Sequence, residues 1–240
     1  MPELIDCKLI DCIGAVAFDL DGTLIDTAPD LGSAANMMLV MLGARPLPEQ
    51  QVPTLIGAGI DEFVKRVLLL SGVAPDRLLE SAAAMLFRNL YGQRLFERSR
   101  IYPGVVNTLR TLRAGGRTVC CVTNKESRFA LALLEFAGLR DFFDAVFCAD
   151  RPEDRKPSPN LLRAACAHAA VEPAKLLCVG DSRADIGAAH AAGCRVVAVD
   201  YGYHRDLPLA DLRPDAVVSN VEEIMELRAG PCNNSLRAIA

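Results

Sequence analysis

Residues 15–24 read AVAFDLDGTL, an uninterrupted apolar run that ends on two carboxylates and a glycine. Such a run is typical of a strand that is covered on both faces of a parallel sheet. Side chains two apart on a strand point the same way, so we expect Asp19 and Asp21 to emerge together where the strand ends. Open α/β sheets bind ligands at the carboxyl ends of their strands. The stretch therefore predicts a ligand site at the end of a buried strand.

The carboxylates of Asp19 and Asp21 carry like charges, which need a cation or a shared proton when they lie close together. Mg²⁺ fits, because it prefers oxygen ligands and is commonly held by one or two carboxylates together with substrate phosphate. The pair thus points to a phosphate-handling magnesium site. Taken alone, the same residues also fit a surface turn, since Asp and Gly are common turn formers.

The composition indicates a globular protein of one large domain or of a domain with an insertion. The 240 residues are 51% hydrophobic and 23% charged, which allows a sizeable core. The net charge of −4 gives no electrostatic reason to expect nucleic acid or an anionic membrane as a partner. No apolar run reaches the roughly 18 residues of a membrane span, and the first residues lack a signal-peptide pattern. We therefore expect a cytoplasmic protein.

The nine cysteines predict core packing rather than disulfides or a metal centre. Their number is odd, and no pair has the Cys-x-x-Cys spacing. Four fall inside strands predicted to be buried, where free cysteine behaves as a small hydrophobic residue: Cys120, Cys121, Cys148 and Cys178.

The spacing of hydrophobic residues along the chain changes near residue 99. Residues 25–98 have helical spacing, including predicted helices over 60–70 and about 75–98, whereas residues 99–228 alternate short apolar strands with helices. That alternation predicts right-handed βαβ units and a parallel sheet, to which residues 1–24 add a strand. We expect 25–98 to be an inserted helical lid that leaves from the acidic loop, and 229–240 to be a disordered tail. An inert helical decoration is the alternative.

Later strands also end on residues suited to phosphate. Thr123 and Asn124 follow a predicted strand, Lys156 lies in a proline-rich loop, and Asp181 and Asp185 open a helix after another strand. Hydroxyl, amide and ammonium groups can hold phosphoryl oxygens, and strand-end acids can bind a metal. Individually these residues also fit helix caps, a solvated lysine, and acids that complement a helix dipole.

Taken together, four motifs closely resemble the haloacid dehalogenase-like hydrolases. They are DLDGT at 19–23, TN at 123–124, KP at 156–157 and GDSRAD at 180–185. The resemblance extends over about residues 15–227. It implies an α/β fold, a three-layer Rossmann-like core with a parallel sheet, and an inserted α-helical cap domain.

The resemblance also implies roles for these residues. Asp19 would be the nucleophile that forms an aspartyl-phosphate, and Asp21 the general acid/base. Thr123 would bind the phosphoryl group, and Lys156 would neutralise its charge. Mg²⁺ would be held by three residues with a fourth in support: Asp19, the main-chain carbonyl of Asp21, Asp181, and the supporting Asp185.

Within the family, the pattern is nearest to phosphoglycolate phosphatases. The matching stretches are 26–31 (DTAPDL), 57–59 (GAG), 123–125 (TNK) with Phe129, 180–186 and 201–203 (YGY). Substrate contacts are accordingly expected from Asn124, Lys125, Gly57 and Gly59, with Lys125 facing a substrate carboxylate. Glu126 departs from the pattern, which has proline at that position.

The resulting functional hypothesis is a Mg²⁺-dependent phosphomonoesterase for a small phosphorylated metabolite, with 2-phosphoglycolate as the preferred substrate. Three alternatives remain at this point: a phosphatase for a sugar phosphate such as N-acetylmuramic acid 6-phosphate, a phosphomutase, and a non-catalytic phosphometabolite-binding protein. The expected assembly is a monomer or a homodimer, without nucleic acid or membrane.

Overall fold

The computed structural model describes residues 8–204 and 208–228. The predicted tail at 229–240 and the first seven residues of the predicted core lie outside the described residues. The strands are β1 Ala15–Phe18, β2 Ile25–Asp26, β3 Arg100–Ile101, β4 Thr118–Thr123, β5 Ala145–Cys148, β6 Leu176–Gly180, β7 Arg195–Val199 and β8 Ala216–Val218. The helices are α1 Ala28–Met41, α2 Ile60–Leu70, α3 Arg77–Gly92, α4 Val105–Ala114, α5 Ser127–Phe136, α6 Asn160–Ala169 and α7 Arg183–Ala192.

Six strands form one sheet in the order β5-β4-β1-β6-β7-β8, and every neighbouring pair is parallel. β1 lies between β4 and β6, with Phe18 opposite both Cys121 and Val179. The predicted parallel α/β sheet is confirmed. Because β1 is interior, its carboxyl end lies beside the ends of two other strands.

Alternate residues of β1 enter two different cores, as the period of a strand requires. Val16 and Phe18 pack with residues of α4 and α5 on one face of the sheet. Ala15 and Ala17 pack with residues of α6 and α7 on the other face. The sheet is therefore the middle of three layers, which explains why the run at 15–18 is apolar throughout.

Helices α1, α2 and α3 share a hydrophobic cluster of their own, built around Met38, Val67 and Phe87. The chain passes between these helices and the sheet through a two-stranded antiparallel ribbon, in which Ile25 pairs with Ile101 and Asp26 with Arg100. We call this β2–β3 ribbon the hinge ribbon. Strands of two residues are too short to show alternation, so the sequence did not predict it.

The helix predicted over about 75–98 is shorter in the structure, because α3 ends at Gly92. Phe96 has a positive φ of 66°, which no continuing α-helix contains. Beyond it, Asp30 accepts hydrogen bonds from the main-chain N–H groups of Arg98 (2.7 Å) and Ser99 (3.0 Å). The chain therefore leaves the helix to reach the buried Asp30 carboxylate beside the hinge ribbon.

Within residues 8–204 and 208–228, no helix combines the length and apolar character that crossing a membrane requires.

Candidate active site

The carboxyl ends of β1, β4 and β6 bring predicted site residues to one edge of the sheet. Asp19 follows β1, and its N–H donates to the Val179 carbonyl at 2.9 Å, which continues the ladder by one residue. Thr123 is the last residue of β4, and Asp181 directly follows β6. Parallel strands in register therefore place residues from distant parts of the sequence side by side.

Lys156 is a buried residue, with a side chain only 2% exposed. Its ammonium contacts Asp19 Oδ1 at 2.8 Å and Asp185 Oδ1 at 2.6 Å, and donates to the Val122 carbonyl at 2.9 Å. Burial alone would lower the pKa of Lys156, but the carboxylates of Asp185 and Asp19 outweigh it and raise the pKa. The structure thus excludes a solvated surface lysine.

Carboxylate oxygens of three acids, Asp19, Asp181 and Asp185, lie within 4.8 Å of one another. Burial, opposed mainly by Lys156, raises the pKa of Asp19 to about 7. Burial, together with the charges of Asp185 and Asp19, raises the pKa of Asp181 well above its usual range. Two buried acids and the partly buried Asp19, with one lysine among them, leave negative charge to be balanced. An all-oxygen donor set suits a hard dication. The cluster therefore fits a metal such as Mg²⁺.

The carboxylate of Asp21 is held apart from this acidic cluster. It pairs with the Lys125 ammonium, whose Nζ lies 2.9 Å from Oδ1 and 3.1 Å from Oδ2, and it accepts a 2.6 Å hydrogen bond from Thr27 Oγ1. Lys125 Nζ also lies 4.8 Å from the centre of the Tyr91 ring, in the range of a cation–π contact. Lys125, predicted to face substrate, is bound to Asp21 in this structure.

Asp185 is fixed by the start of α7. Ser182 and Asp185 form a capping box, in which the Asp185 N–H donates to Ser182 Oγ at 3.3 Å and the Ser182 N–H donates to Asp185 Oδ2 at 3.0 Å. Ser182 Oγ also donates to Asp185 Oδ2 at 2.5 Å. The spacing Ser-x-x-Asp is the sequence signature of this motif. Because Asp185 Oδ2 accepts the hydrogen bonds of the cap, Asp185 Oδ1 is the oxygen that contacts Lys156.

Thr123 and Asn124 close the site on the side of β4. The Asn124 amide donates to the carbonyls of Gly57 (2.8 Å) and Lys156 (3.1 Å) and accepts from the Lys156 N–H at 2.7 Å. Asn124 therefore joins the Lys156 loop to the loop that precedes α2. Thr123 is buried, and its Oγ1 accepts from the Lys125 N–H at 3.2 Å.

A cavity opens between the strand ends and the helical insertion. Asp19, Asp21 and residues 123–125 line it from the sheet. Gly57 and Gly59, both with positive φ, line it from the insertion. Its remaining walls are the apolar side chains of Leu31, Ile56, Ile60 and Phe63. Lys125 is the only cation among the lining residues in the described part of the chain.

An ion-pair cluster joins the insertion to the sheet beside this cavity. Arg88 of α3 contacts Asp61 of α2 and Glu126 of the loop after β4, each at 2.7 Å. Arg155 reaches Asp61 at 3.4 Å. Glu126, the departure from the resembled pattern, is thus the partner of Arg88.

Sequence reasoning assigned no role to Thr27, Tyr91 and Tyr203, which all approach the site residues. Thr27 binds Asp21, Tyr91 covers Lys125, and the Tyr203 N–H donates to Asp181 Oδ2 at 2.6 Å. Thr27 and Tyr203 lie in stretches that match the phosphoglycolate phosphatase pattern, and that match is the sequence feature that could have indicated a role for them. Tyr91 lies in a helix whose spacing indicated only core packing.

Comparison with known proteins agrees with this arrangement. The family model of the haloacid dehalogenase-like hydrolases matches residues 13–193. The chain belongs to the haloacid dehalogenase-like hydrolase family. The matched region of this hydrolase contains the ends of β1, β4 and β6, with Lys156 and both acids of the 180–185 motif.

Several curated relatives that are similar to this hydrolase over most of its length are phosphoglycolate phosphatases. A phosphoglycolate phosphatase of Nitrosospira multiformis is 45% identical over 217 residues, covering 90% of this chain and 95% of its own. One of Thiobacillus denitrificans is 44% identical, covering 88% of this chain and 93% of its own. The crystal structure of a predicted phosphoglycolate phosphatase from Haemophilus somnus has a TM-score of 0.85 and 32% identity, covering 90% of this chain and 97% of its own.

Proposed function

We propose that this hydrolase is a Mg²⁺-dependent phosphomonoesterase that converts 2-phosphoglycolate to glycolate and phosphate. The observation that carries the proposal is the carboxylate of Asp19, which contacts Lys156, lies in one acidic cluster with Asp181, and lines a cavity that also contains the Lys125 ammonium. The names of the relatives support the choice of substrate.

The metal would be held by Asp19, Asp181 and the main-chain carbonyl of Asp21, with Asp185 in support. When bound, Mg²⁺ would supply positive charge to the phosphoryl oxygens and to the carboxylate nucleophile. The raised pKa of Asp181 is consistent with this assignment, because burial and then the charges of Asp185 and Asp19 disfavour its negative charge, which a bound cation would compensate.

The chain's own residues account for both halves of the reaction. An Asp19 oxygen attacks phosphorus and forms the aspartyl-phosphate as the ester P–O bond breaks, while protonated Asp21 gives its proton to the departing glycolate oxygen. Water then attacks phosphorus and gives a proton to Asp21, and the P–O bond to Asp19 breaks. Thr123 Oγ1 holds a phosphoryl oxygen in both steps, and the Lys156 ammonium, 2.8 Å from Asp19 Oδ1, neutralises charge on the nucleophile and the phosphoryl group.

The helical insertion is proposed to act as a cap that closes over the cavity and excludes water during the first step. We place its limits at residues 25–98, with the core at 1–24 and 99–228. The hinge ribbon supports this division, since it carries both crossings of the chain. Asp30 supports it too, because its carboxylate ties the first turn of α1 to Ser99, where the chain returns to the core.

The position of Lys125 supports a small substrate that carries a carboxylate. In 2-phosphoglycolate one carbon separates the ester oxygen from the carboxylate, so an ammonium next to Asp21 can reach that carboxylate. In N-acetylmuramic acid 6-phosphate the carboxylate lies across the sugar ring from the phosphate. The apolar walls formed by Leu31, Ile60 and Phe63 offer no partners for sugar hydroxyls.

The direct test is phosphate release from a panel of monoesters, with and without Mg²⁺. The panel contains 2-phosphoglycolate, N-acetylmuramic acid 6-phosphate, several hexose phosphates and p-nitrophenyl phosphate. We expect Mg²⁺-dependent turnover with the highest kcat/KM for 2-phosphoglycolate. A higher value for a sugar phosphate would overturn the substrate. Binding of phosphoesters without turnover would instead favour a binding protein, and transfer of the phosphoryl group to a sugar would favour a mutase.

Lys125→Met is expected to raise KM for 2-phosphoglycolate by about 10- to 100-fold, the loss typical of a buried charge-assisted contact. KM for p-nitrophenyl phosphate, which has no carboxylate, should change by less than about 3-fold. Steady-state kinetics on both substrates make the comparison. Lys65→Met is the matched control, because Lys65 is half-exposed on α2 and its nearest acid is Glu80 at 3.8 Å. An equal increase in KM for both substrates would show that Lys125 acts only by holding Asp21 and does not contact the substrate carboxylate.

Gly22→Ala is expected to weaken Mg²⁺ binding by about 10- to 100-fold, the range of supporting-residue mutations at metal sites. A Cβ there would lie 2.5 Å from Asp181 Oδ2 and 2.9 Å from Tyr203 Cδ2, and φ is +87°. Isothermal titration calorimetry measures the affinity. Gly43→Ala is the control, because Gly43 also has a positive φ (+69°) but a Cβ there meets no atom within 4 Å. Unchanged affinity in Gly22→Ala would contradict the assignment of Asp181 as a ligand.

A further inference from the structure

Tyr203 contacts both the acidic cluster and the hinge ribbon. Its main-chain N–H donates to Asp181 Oδ2 at 2.6 Å. At the other end of the residue, its hydroxyl donates to Asp26 Oδ1 at 2.5 Å and accepts from the N–H groups of Thr27 (2.7 Å) and Ala28 (2.9 Å). One buried residue thus spans the distance from a proposed metal ligand to the start of the helical insertion.

The hydroxyl satisfies groups that the helix itself cannot. Thr27 is the N-cap residue of α1 and Ala28 is its first residue, so their N–H groups have no partner within the helix. Both residues are buried, which prevents water from replacing the hydroxyl. The Ala28 N–H also donates to Asp26 Oδ1 at 3.3 Å, so the first turn of α1 is held by Tyr203 together with Asp26.

The main-chain end of Tyr203 is packed against Asp181 without free space. A Cβ on Gly202 would overlap the Asp181 side chain and the Gly22 carbonyl, so the backbone next to Tyr203 lies directly against both groups. Close-packed groups of this kind transmit displacements instead of absorbing them. A change in the orientation of Asp181 must therefore move the Tyr203 backbone.

We propose that Tyr203 is a positioning residue that couples the orientation of the metal ligand Asp181 to the position of the helical insertion at the hinge ribbon. The inference rests on the proposed function only in taking Asp181 as a Mg²⁺ ligand. Mg²⁺ fixes Asp181, Asp181 fixes the Tyr203 backbone, and the Tyr203 hydroxyl fixes the first turn of α1. Metal binding then orders the hinge before any phosphoester is present.

Hydrogen exchange followed by mass spectrometry tests the coupling with Mg²⁺ as the only added ligand. In the wild-type protein, Mg²⁺ should slow amide exchange in residues 25–31 by about 5-fold or more, the lower range of typical coupling between sites. In Tyr203→Phe, which keeps the N–H to Asp181, calorimetry should show Mg²⁺ affinity within about 3-fold of wild type. The slowing of exchange in residues 25–31 should fall below about 2-fold.

Tyr201→Phe is the matched control, because the Tyr201 hydroxyl donates to the Thr23 carbonyl at 2.8 Å and not to the hinge. It should keep the Mg²⁺-dependent protection. If Tyr203→Phe does not fold, the wild-type experiment decides, because a wild-type hinge that Mg²⁺ does not protect overturns the proposal. Protection that persists in Tyr203→Phe overturns it as well. Absence of Mg²⁺ binding in the wild type would instead refute the proposed metal site itself.

Discussion

Asp19→Asn is expected to lower kcat for 2-phosphoglycolate by at least about 10⁴-fold, as is usual when a catalytic nucleophile is removed. The asparagine side chain has nearly the same shape but offers no carboxylate oxygen to attack phosphorus. Its main-chain N–H would still donate to Val179, and Lys156 would keep its contacts with Asp185 and the Val122 carbonyl. The fold should therefore survive, and assays of phosphate release with Mg²⁺ measure the loss.

Asp11→Asn is the matched control for this change, because Asp11 is exposed in the turn that precedes β1. It should retain wild-type kcat. Asp19→Asn loses the ion pair with Lys156 but also relieves repulsion among three clustered acids. The thermal unfolding midpoint of the metal-free variant should therefore lie within a few degrees of wild type. Residual activity within about 10-fold of wild type would remove Asp19 from the mechanism.

Asp21→Asn is expected to have the second-largest effect, a loss of about 10²- to 10⁴-fold in kcat for 2-phosphoglycolate. Glycolate is a poor leaving group and needs the proton from Asp21, whereas p-nitrophenolate leaves without one. With p-nitrophenyl phosphate, the first step should therefore proceed and the second should not, because water lacks its base. Stopped-flow absorbance should show a burst of about one p-nitrophenol per enzyme, followed by slow turnover.

The burst distinguishes general acid/base catalysis from a loss of structure. Asp11→Asn again serves as the control and should give steady turnover without a burst. A variant of Asp21 that slows both substrates equally, with no burst, would contradict the assigned role. Such a result would indicate that Asp21 mainly holds Lys125, which it contacts at 2.9 Å.

The parallel sheet could be predicted from the sequence because its strands are buried on both faces. Runs such as 15–18 and 176–179 are apolar throughout, and the acids or glycines that follow them mark the sheet edge at which ligands bind. Helix α2 matched its predicted limits of 60 and 70, since a glycine precedes it and Ser71-Gly72 ends it.

The end of α3 could not be predicted, because residues 93–98 contain good helix formers. Local propensity favours continuation there, and tertiary contacts override it. Asp30, more than 60 residues earlier, accepts hydrogen bonds from the N–H groups of Arg98 and Ser99, and these bonds direct the chain toward the hinge ribbon. The two-residue strands of the hinge ribbon arise from the same long-range pairing.

The candidate site also contains features that the sequence predicts and features that it does not. Strand-end residues such as Asp19 and Asp181 follow from topology, since parallel strands end at one edge. The partner of a long side chain does not follow from topology: Lys125 binds Asp21 and lies over Tyr91, and Tyr203 reaches back to Asp26. Those contacts depend on how the helical insertion packs against the sheet.

Trapping the covalent intermediate tests the central claim most directly. The wild-type protein would be mixed with Mg²⁺ and 2-phosphoglycolate, quenched in acid during turnover, reduced with borohydride and analysed by peptide mass spectrometry. Borohydride reduces an aspartyl-phosphate to homoserine, and we expect that change at position 19, only in samples containing both substrate and Mg²⁺. Steady turnover with position 19 unmodified, or with modification at another carboxylate, would contradict the account.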